Sequence, residues 1–159
     1  MPPESSKNGM EWNEDMSCFI AARDGNVDAL AALLADGADA NNAKPSDGWP
    51  TPCYVAAYRG HVGAVRLLID HGVDYDKATA DEGKTPCYIA AQHGHVAVVE
   101  LLLTAGADPN KTENSGATPC HMAAREGRVN VLEALLAAGA DPNAADADGI
   151  TPCWVAAWK

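Results

Sequence analysis

Five times along the chain the same phrase returns: Met16-Ser17-Cys18-Phe19-Ile20-Ala21-Ala22, Thr51-Pro52-Cys53-Tyr54-Val55-Ala56-Ala57, Thr85-Pro86-Cys87-Tyr88-Ile89-Ala90-Ala91, Thr118-Pro119-Cys120-His121-Met122-Ala123-Ala124 and Thr151-Pro152-Cys153-Trp154-Val155-Ala156-Ala157. Its cysteines are 35, 34, 33 and 33 residues apart. A second phrase follows in the same register: Leu33-Leu34 to Gly37-Ala38-Asp39, Leu68-Ile69 to Gly72-Val73-Asp74, Leu102-Leu103 to Gly106-Ala107-Asp108 and Leu135-Leu136 to Gly139-Ala140-Asp141. A unit this short cannot bury its own apolar face, so successive units must stack and share one continuous core.

Each unit reads as two helices. Thr caps the first helix and Pro takes its first position, where a missing N–H costs nothing. The first helix stops near Gly60, Gly94 or Gly127, since Gly tolerates the left-handed conformation that closes a helix. A second helix carries apolar residues at helical spacing, such as Val96, Val99, Leu102 and Leu103, and ends at the next Gly. A polar loop of about ten residues remains, for example Asp108-Pro109-Asn110 to Gly116, projecting as a turn or hairpin.

These units resemble ankyrin repeats, whose pattern includes Thr-Pro-Leu-His, Ala-Ala, Gly-His, Leu-Leu and Gly-Ala-Asp-x-Asn. The resemblance runs from Met16 to the last residue. It implies an all-α ankyrin-repeat solenoid of stacked helix-turn-helix units with projecting β-hairpin-like loops. Two departures stand out. Cys replaces the usual Leu in every unit, and the usual His survives only as His121, its place being taken by Phe19, Tyr54, Tyr88 and Trp154 elsewhere. The period divides the chain into a polar N-terminal tail, 1–15, an N-terminal capping repeat without Thr-Pro, 16–45, three full repeats, 46–79, 80–111 and 112–145, and an incomplete repeat, 146–159. Trp12 of the tail is read as packing on the first unit or against a partner. The incomplete repeat stops one helix into its pair, which predicts an uncovered apolar face at Trp158. Either further sequence or a partner would cover it.

Composition limits the function. At 47% hydrophobic residues the chain can build a continuous core. No run approaches the roughly 18 apolar residues of a membrane-spanning helix, so no membrane insertion is expected. Met1 to Asp15 has no apolar stretch of the kind a secretory signal needs. The formal charge of -11, from 22 acidic against 11 basic residues, repels nucleic acid. Phosphate binding needs several cations on one face, whereas Arg59, Lys84, Arg125 and Lys159 each sit among carboxylates.

Five cysteines suggest redox chemistry or metal, but the spacing argues against both. Equivalent positions in stacked helix pairs lie about 9 to 10 Å apart, beyond the roughly 7 Å between Cα atoms that a disulfide allows. Zinc with Zn–S distances near 2.3 Å could not take two ligands from such a ladder. All five are expected to be reduced, buried core residues, consistent with the cytoplasm, or the nucleus. His61 and His95 match the family's Gly-His, where a backbone-bonding role is implied. Asp39, Asp74, Asp108 and Asp141 recur with the period as loop formers. In the family such loop Asn residues can be hydroxylated, which makes Asn110 and Asn143 candidates by resemblance. No phosphate loop, Ser-His-Asp set or calcium-loop spacing occurs. No catalytic residue, cofactor, metal or small-molecule substrate is expected, and the chain is not read as an enzyme.

The residues that break the period carry the functional reading. Subtracting the common pattern leaves the hairpin tips and the exposed ends of the first helices, the concave face that ankyrin repeats use for partners. These positions hold Asp47, Trp49, Pro50, Tyr58 and Arg59, then Asp81, Glu82, Lys84, Gln92 and His93. The later sets are Asn114, Ser115, Ala117, Arg125 and Glu126, and Asp148, Ile150, Trp158 and Lys159. Exposed Trp, Tyr and Arg dominate interface energetics. Partner binding is therefore assigned to Trp49, Tyr58, Arg59, Lys84, Gln92, His93, Arg125 and Trp158. Trp49 and Tyr58 have a second reading, as a cover for the first inter-unit loop. The expected function is binding of another protein. The alternatives are a permanent structural or assembly subunit, or the repeat region of a longer chain whose activity lies beyond Lys159.

Overall fold

The computed structural model describes residues 14–41 and 50–158. Trp12, Asp47, Trp49 and Lys159 lie outside the described residues. Within them the chain forms α1 (Glu14–Asp24), α2 (Val27–Ala35), α3 (Pro52–Arg59), α4 (Val62–Asp70), α5 (Pro86–His93), α6 (Val96–Ala105), α7 (Pro119–Arg125), α8 (Val129–Ala137) and α9 (Pro152–Ala157). Odd-numbered helices stack on one another in one layer and even-numbered helices in a second, each pair closing as an antiparallel hairpin. No helix among the described residues is long and apolar enough to cross a membrane.

Local chemistry sets each first helix. Thr51, Thr85 and Thr151 hydroxyls accept from the N–H of Tyr54, Tyr88 and Trp154 at 3.1, 3.1 and 3.2 Å, which satisfies a donor the helix leaves without a partner. Pro follows each cap. At the other end Gly60 and Gly94 take φ values of 77° and 79°. At Gly60 a second constraint applies: a Cβ would lie 2.7 Å from Nδ1 of His95. The glycine therefore both turns the chain and leaves room for an imidazole from the next unit.

That imidazole ties the units together. His61 Nε2–H donates to the Arg23 carbonyl at 3.0 Å, and His95 Nε2–H to the Tyr58 carbonyl at 3.0 Å. In the following unit Arg128 takes the same position and reaches the Gln92 carbonyl at 3.5 Å. The second helices supply the largest buried side chains, with Leu68, Leu102 and Leu135 at one register, all fully buried. Each contributes about 2 kcal/mol by removal from water. The core runs without a break from Cys18 to Ala140.

Cys18, Cys53, Cys87 and Cys120 are buried, but Cys153 is exposed, which corrects the expectation that all five are core residues. Cys153 stands on α9, which packs on α7 on one side only among the described residues. Cys53, Cys87, Cys120 and Cys153 form no disulfide. Burial pushes the Cys53 and Cys87 thiols up to about 12 and the Cys120 thiol to about 11, with nearby acids adding to the shift.

The inter-unit segments are hairpin-like turns with no strand assigned among the described residues. Glu113 N–H donates to the Ala117 carbonyl at 3.0 Å and Asp146 N–H to the Ile150 carbonyl at 2.9 Å. One main-chain bond joins each of the last two tips to the one before it: Asn114 N–H to the Glu82 carbonyl at 3.0 Å, and Ala147 N–H to the Ser115 carbonyl at 2.9 Å. At the loop bases, side chains of one unit hold the backbone of its neighbour. Asn41 and Asn110 accept from the N–H of Asp74 and Asp141 at 2.8 and 2.7 Å. Lys77 and Lys111 donate to the carbonyls of Asn41 and Asp76 at 3.0 and 2.7 Å.

Candidate functional site: the groove between hairpins and first helices

Hairpin tips and the ends of the first helices enclose a groove of about 560 Å³ toward the C-terminal half of the described residues. Its helix side includes Tyr88, Met122, Arg125, Trp154 and Trp158, and its hairpin side Glu82, Lys84, Glu113, Asp146 and Asp148. Side chains here project from rigid helices or from tied loops, so the surface is pre-organised.

The floor comes from the position where the family pattern has His. His121 alone keeps that chemistry: its Nδ1 accepts from the Thr118 N–H at 3.0 Å, and its Nε2–H donates to the Ile150 carbonyl at 3.0 Å. One imidazole thus closes its own helix cap and holds the following hairpin. Tyr54 and Tyr88 substitute bulk for this bonding. Tyr88 is buried, and burial, with Glu113 adding and Arg125 opposing, raises its phenol to about 12. Trp154, in the same register, is 50% exposed.

Of the assigned partner-binding residues, three come together at the centre of the strip. Tyr58 meets His93 edge-on at 4.5 Å between centroids, and the Arg59 guanidinium sits 5.6 Å from the Tyr58 centroid. His93 also stacks on His95 at 6.0 Å. Partial burial, with His95 and Arg128 close by, holds the His93 imidazole below its ordinary value. Gln92, beside this cluster, is half-buried, and its Oε1 is buried without a hydrogen-bond partner.

Lys84, Arg125 and Trp158 line the groove itself. Lys84 pairs with Glu82 at 2.8 Å and lies 5.9 Å from the Tyr88 centroid. Arg125 pairs with Glu126 at 3.5 Å. Trp158 is 78% exposed and stacks on Trp154 at 5.1 Å with 22° between ring planes. Trp154 was not among the assigned partner-binding residues, although the incomplete repeat predicts an exposed apolar patch of Trp154, Val155 and Trp158. Its i, i+4 spacing to Trp158, which places both indoles on one helix face, was the available signal.

The hairpin side carries fixed carboxylates. Glu113 accepts from the N–H groups of Ser115 and Ala117 at 3.0 and 3.3 Å, and from the Ser115 hydroxyl. Burial pushes this carboxyl up, but those bonds and Lys84 outweigh it and leave Glu113 below its ordinary value. Asp146 accepts from the N–H groups of Asp148 and Ile150 at 3.0 and 2.9 Å. Among the described residues no group of three or more His, Cys, Asp or Glu is placed to hold a metal ion.

Comparison with known proteins agrees with this architecture. A search among curated proteins finds no match. A family model described as ankyrin repeats in three copies matches residues 18–113 and, overlapping, 77–146. The matches take in the helix pairs from α1–α2, but for the first residues of α1, to α7–α8, with the Thr-Pro caps of α3, α5 and α7 and the Gly-His ties, and the chain belongs to the ankyrin-repeat family.

Proposed function

We propose that this chain binds a partner protein through its concave face, using the strip from Tyr58 and Arg59 through Gln92 and His93 to Lys84, Arg125 and Trp158. Ankyrin repeats are generally protein-protein interaction modules. The observation that carries the reading is the contrast within α3, α5 and α7. Cys, Ala and Val55, Ile89 or Met122 are buried, while the last turn exposes Tyr58, Arg59, His93 and Arg125. Large side chains of the types that anchor interfaces stand where the repeat does not need them for packing. Trp49 belongs to the same proposed strip by its place in the repeat. The partner is a protein rather than nucleic acid, since the carboxylates of the hairpin side repel phosphate.

Site-specific photo-crosslinking tests this. A crosslinker at Gln92 or Arg125 should capture one partner by mass spectrometry, and the same group at Glu133, on the second-helix side, should not. Capture from Glu133 alone would overturn the concave-face reading. A permanent assembly subunit is the second reading, and it predicts that the partner co-purifies in fixed ratio through high salt.

A further inference from the structure

The proposed binding face says where a partner sits, and the groove side chains specify the chemistry that partner brings. Trp154 and Trp158 present stacked, largely exposed indoles. Across from them the hairpins supply Glu113, Asp146 and Asp148. Loop N–H groups pin the first two carboxylates without cancelling their charge, and Asp148 stands exposed near its hairpin tip. The cations lining the groove, Lys84 and Arg125, each already face a carboxylate of their own, Glu82 and Glu126. Lys84 also bears on Glu113, so the negative charge left for something else is that of Asp146 and Asp148.

A guanidinium suits both walls at once. Its plane stacks on an indole face, and its N–H fork donates to a fixed carboxylate, which an ammonium does less well. The lining spans three successive units, about 20 Å at the spacing of packed helices. That matches roughly six residues of extended chain at about 3.3 Å each, and exceeds a single small molecule. We infer that the groove takes an extended, arginine-bearing segment of the partner protein, a guanidinium resting on the Trp154–Trp158 pair and bonded to the Asp146–Asp148 hairpin. This rests on the concave-face reading above and adds the partner's chemistry to it.

The test uses the whole chain and three fluorescein-labelled eight-residue probes: a Gly-Ser peptide with two arginines, and the same peptide with two lysines or two glutamates. Anisotropy should show saturable one-to-one binding of the arginine peptide, weaker binding of the lysine peptide and none of the glutamate peptide. Trp158→Ala and Asp148→Lys, both at exposed positions, should each weaken the arginine peptide about fivefold or more, with circular dichroism unchanged. Asp36→Lys, an equal charge change in the first helix pair, should alter it less than about twofold.

Equal losses from Asp36→Lys and Asp148→Lys would mean only diffuse attraction to an acidic chain and would overturn the inference. So would glutamate binding as well as arginine, or no saturable binding. If arginine selectivity fails while crosslinking from Gln92 or Arg125 still captures a partner, only the chemistry falls. If that crosslinking also fails, the reading beneath it falls too.

Discussion

Asp76 occupies the loop position where Asn110 makes two bonds to the next unit. Asn110 accepts from Asp141 N–H through Oδ1 and donates to the Gly139 carbonyl through Nδ2 at 3.1 Å. Asp76 accepts from Asp108 N–H at 3.1 Å through Oδ2, but its Oδ1 is buried with no partner. Asp76→Asn would supply a donor there and should stabilise the fold by about 1 kcal/mol, read as a higher urea midpoint. A lower midpoint would show that the acid is the better fit. The thiols make a second residue-scale prediction. With folded values near 12, 12 and 11 against 9.0 for the free group, Cys53, Cys87 and Cys120 stay protonated where the unfolded chain ionises. Their contribution is complete below pH 9 and is lost as pH rises toward 11 to 12. Each thiol should steepen the alkaline fall by up to about 1.4 kcal/mol per pH unit. Cys87→Ala, unfolded in urea at pH 7, 9 and 10.5, should therefore show the shallower fall, whatever its cost at neutral pH. Cys153, being exposed, should be alkylated by iodoacetamide in the native protein about tenfold faster than Cys53, Cys87 or Cys120.

At the scale of the element, the Gly60–His95 contact is the unit joint. Gly60→Ala forces a left-handed Cβ, at about 1 kcal/mol, and also drives it into the His95 ring. The total cost should exceed that of His95→Ala, and the double variant should be less damaged than the sum of the two, because removing the imidazole opens the space. Urea unfolding of the three variants measures the coupling, and strict additivity would show that the ring simply moves aside. His93→Ala, one residue before the turn at an exposed position, should change stability by no more than about 0.5 kcal/mol. The helices and their caps were legible in the sequence because each depends on residues close together in the chain, and the Gly-His ties, which join residues 37 to 38 apart, were legible only because the pair recurs with the period. Val99 and Leu102 are fully buried as their spacing requires, while Val96 and Leu103 are only half-buried and Val98 takes a core place. That redistribution depends on which neighbour each face meets. The surroundings of Asp76 and the meeting of Tyr58 with His93 were not legible for the same reason, since both join groups about 30 residues apart or more, a carboxylate to the Asp108 N–H in one case and two rings in the other.

Across the whole molecule, stability follows the number of neighbours each unit has. α5 and α7 lie between units, whereas α9 packs on α7 alone among the described residues and exposes Cys153, Trp154 and Trp158. Amide exchange in the isolated chain should be fastest in α9 and slowest in α5 to α7, and a bound partner should slow it in α9. Equally slow exchange in α9 without a partner would show that this end needs no cover. The ties between units also have a direction. His61, His95, Arg128, Lys77, Lys111 and Asn114 donate backward, to carbonyls of the preceding unit, whereas His121 and Asn110 donate forward, to Ile150 and Gly139. During synthesis, when N-terminal portions emerge first, a newly exposed unit finds those acceptors already in place. The chain can therefore add one unit at a time as it leaves the ribosome, each docking on a finished template instead of waiting for sequence still to be made.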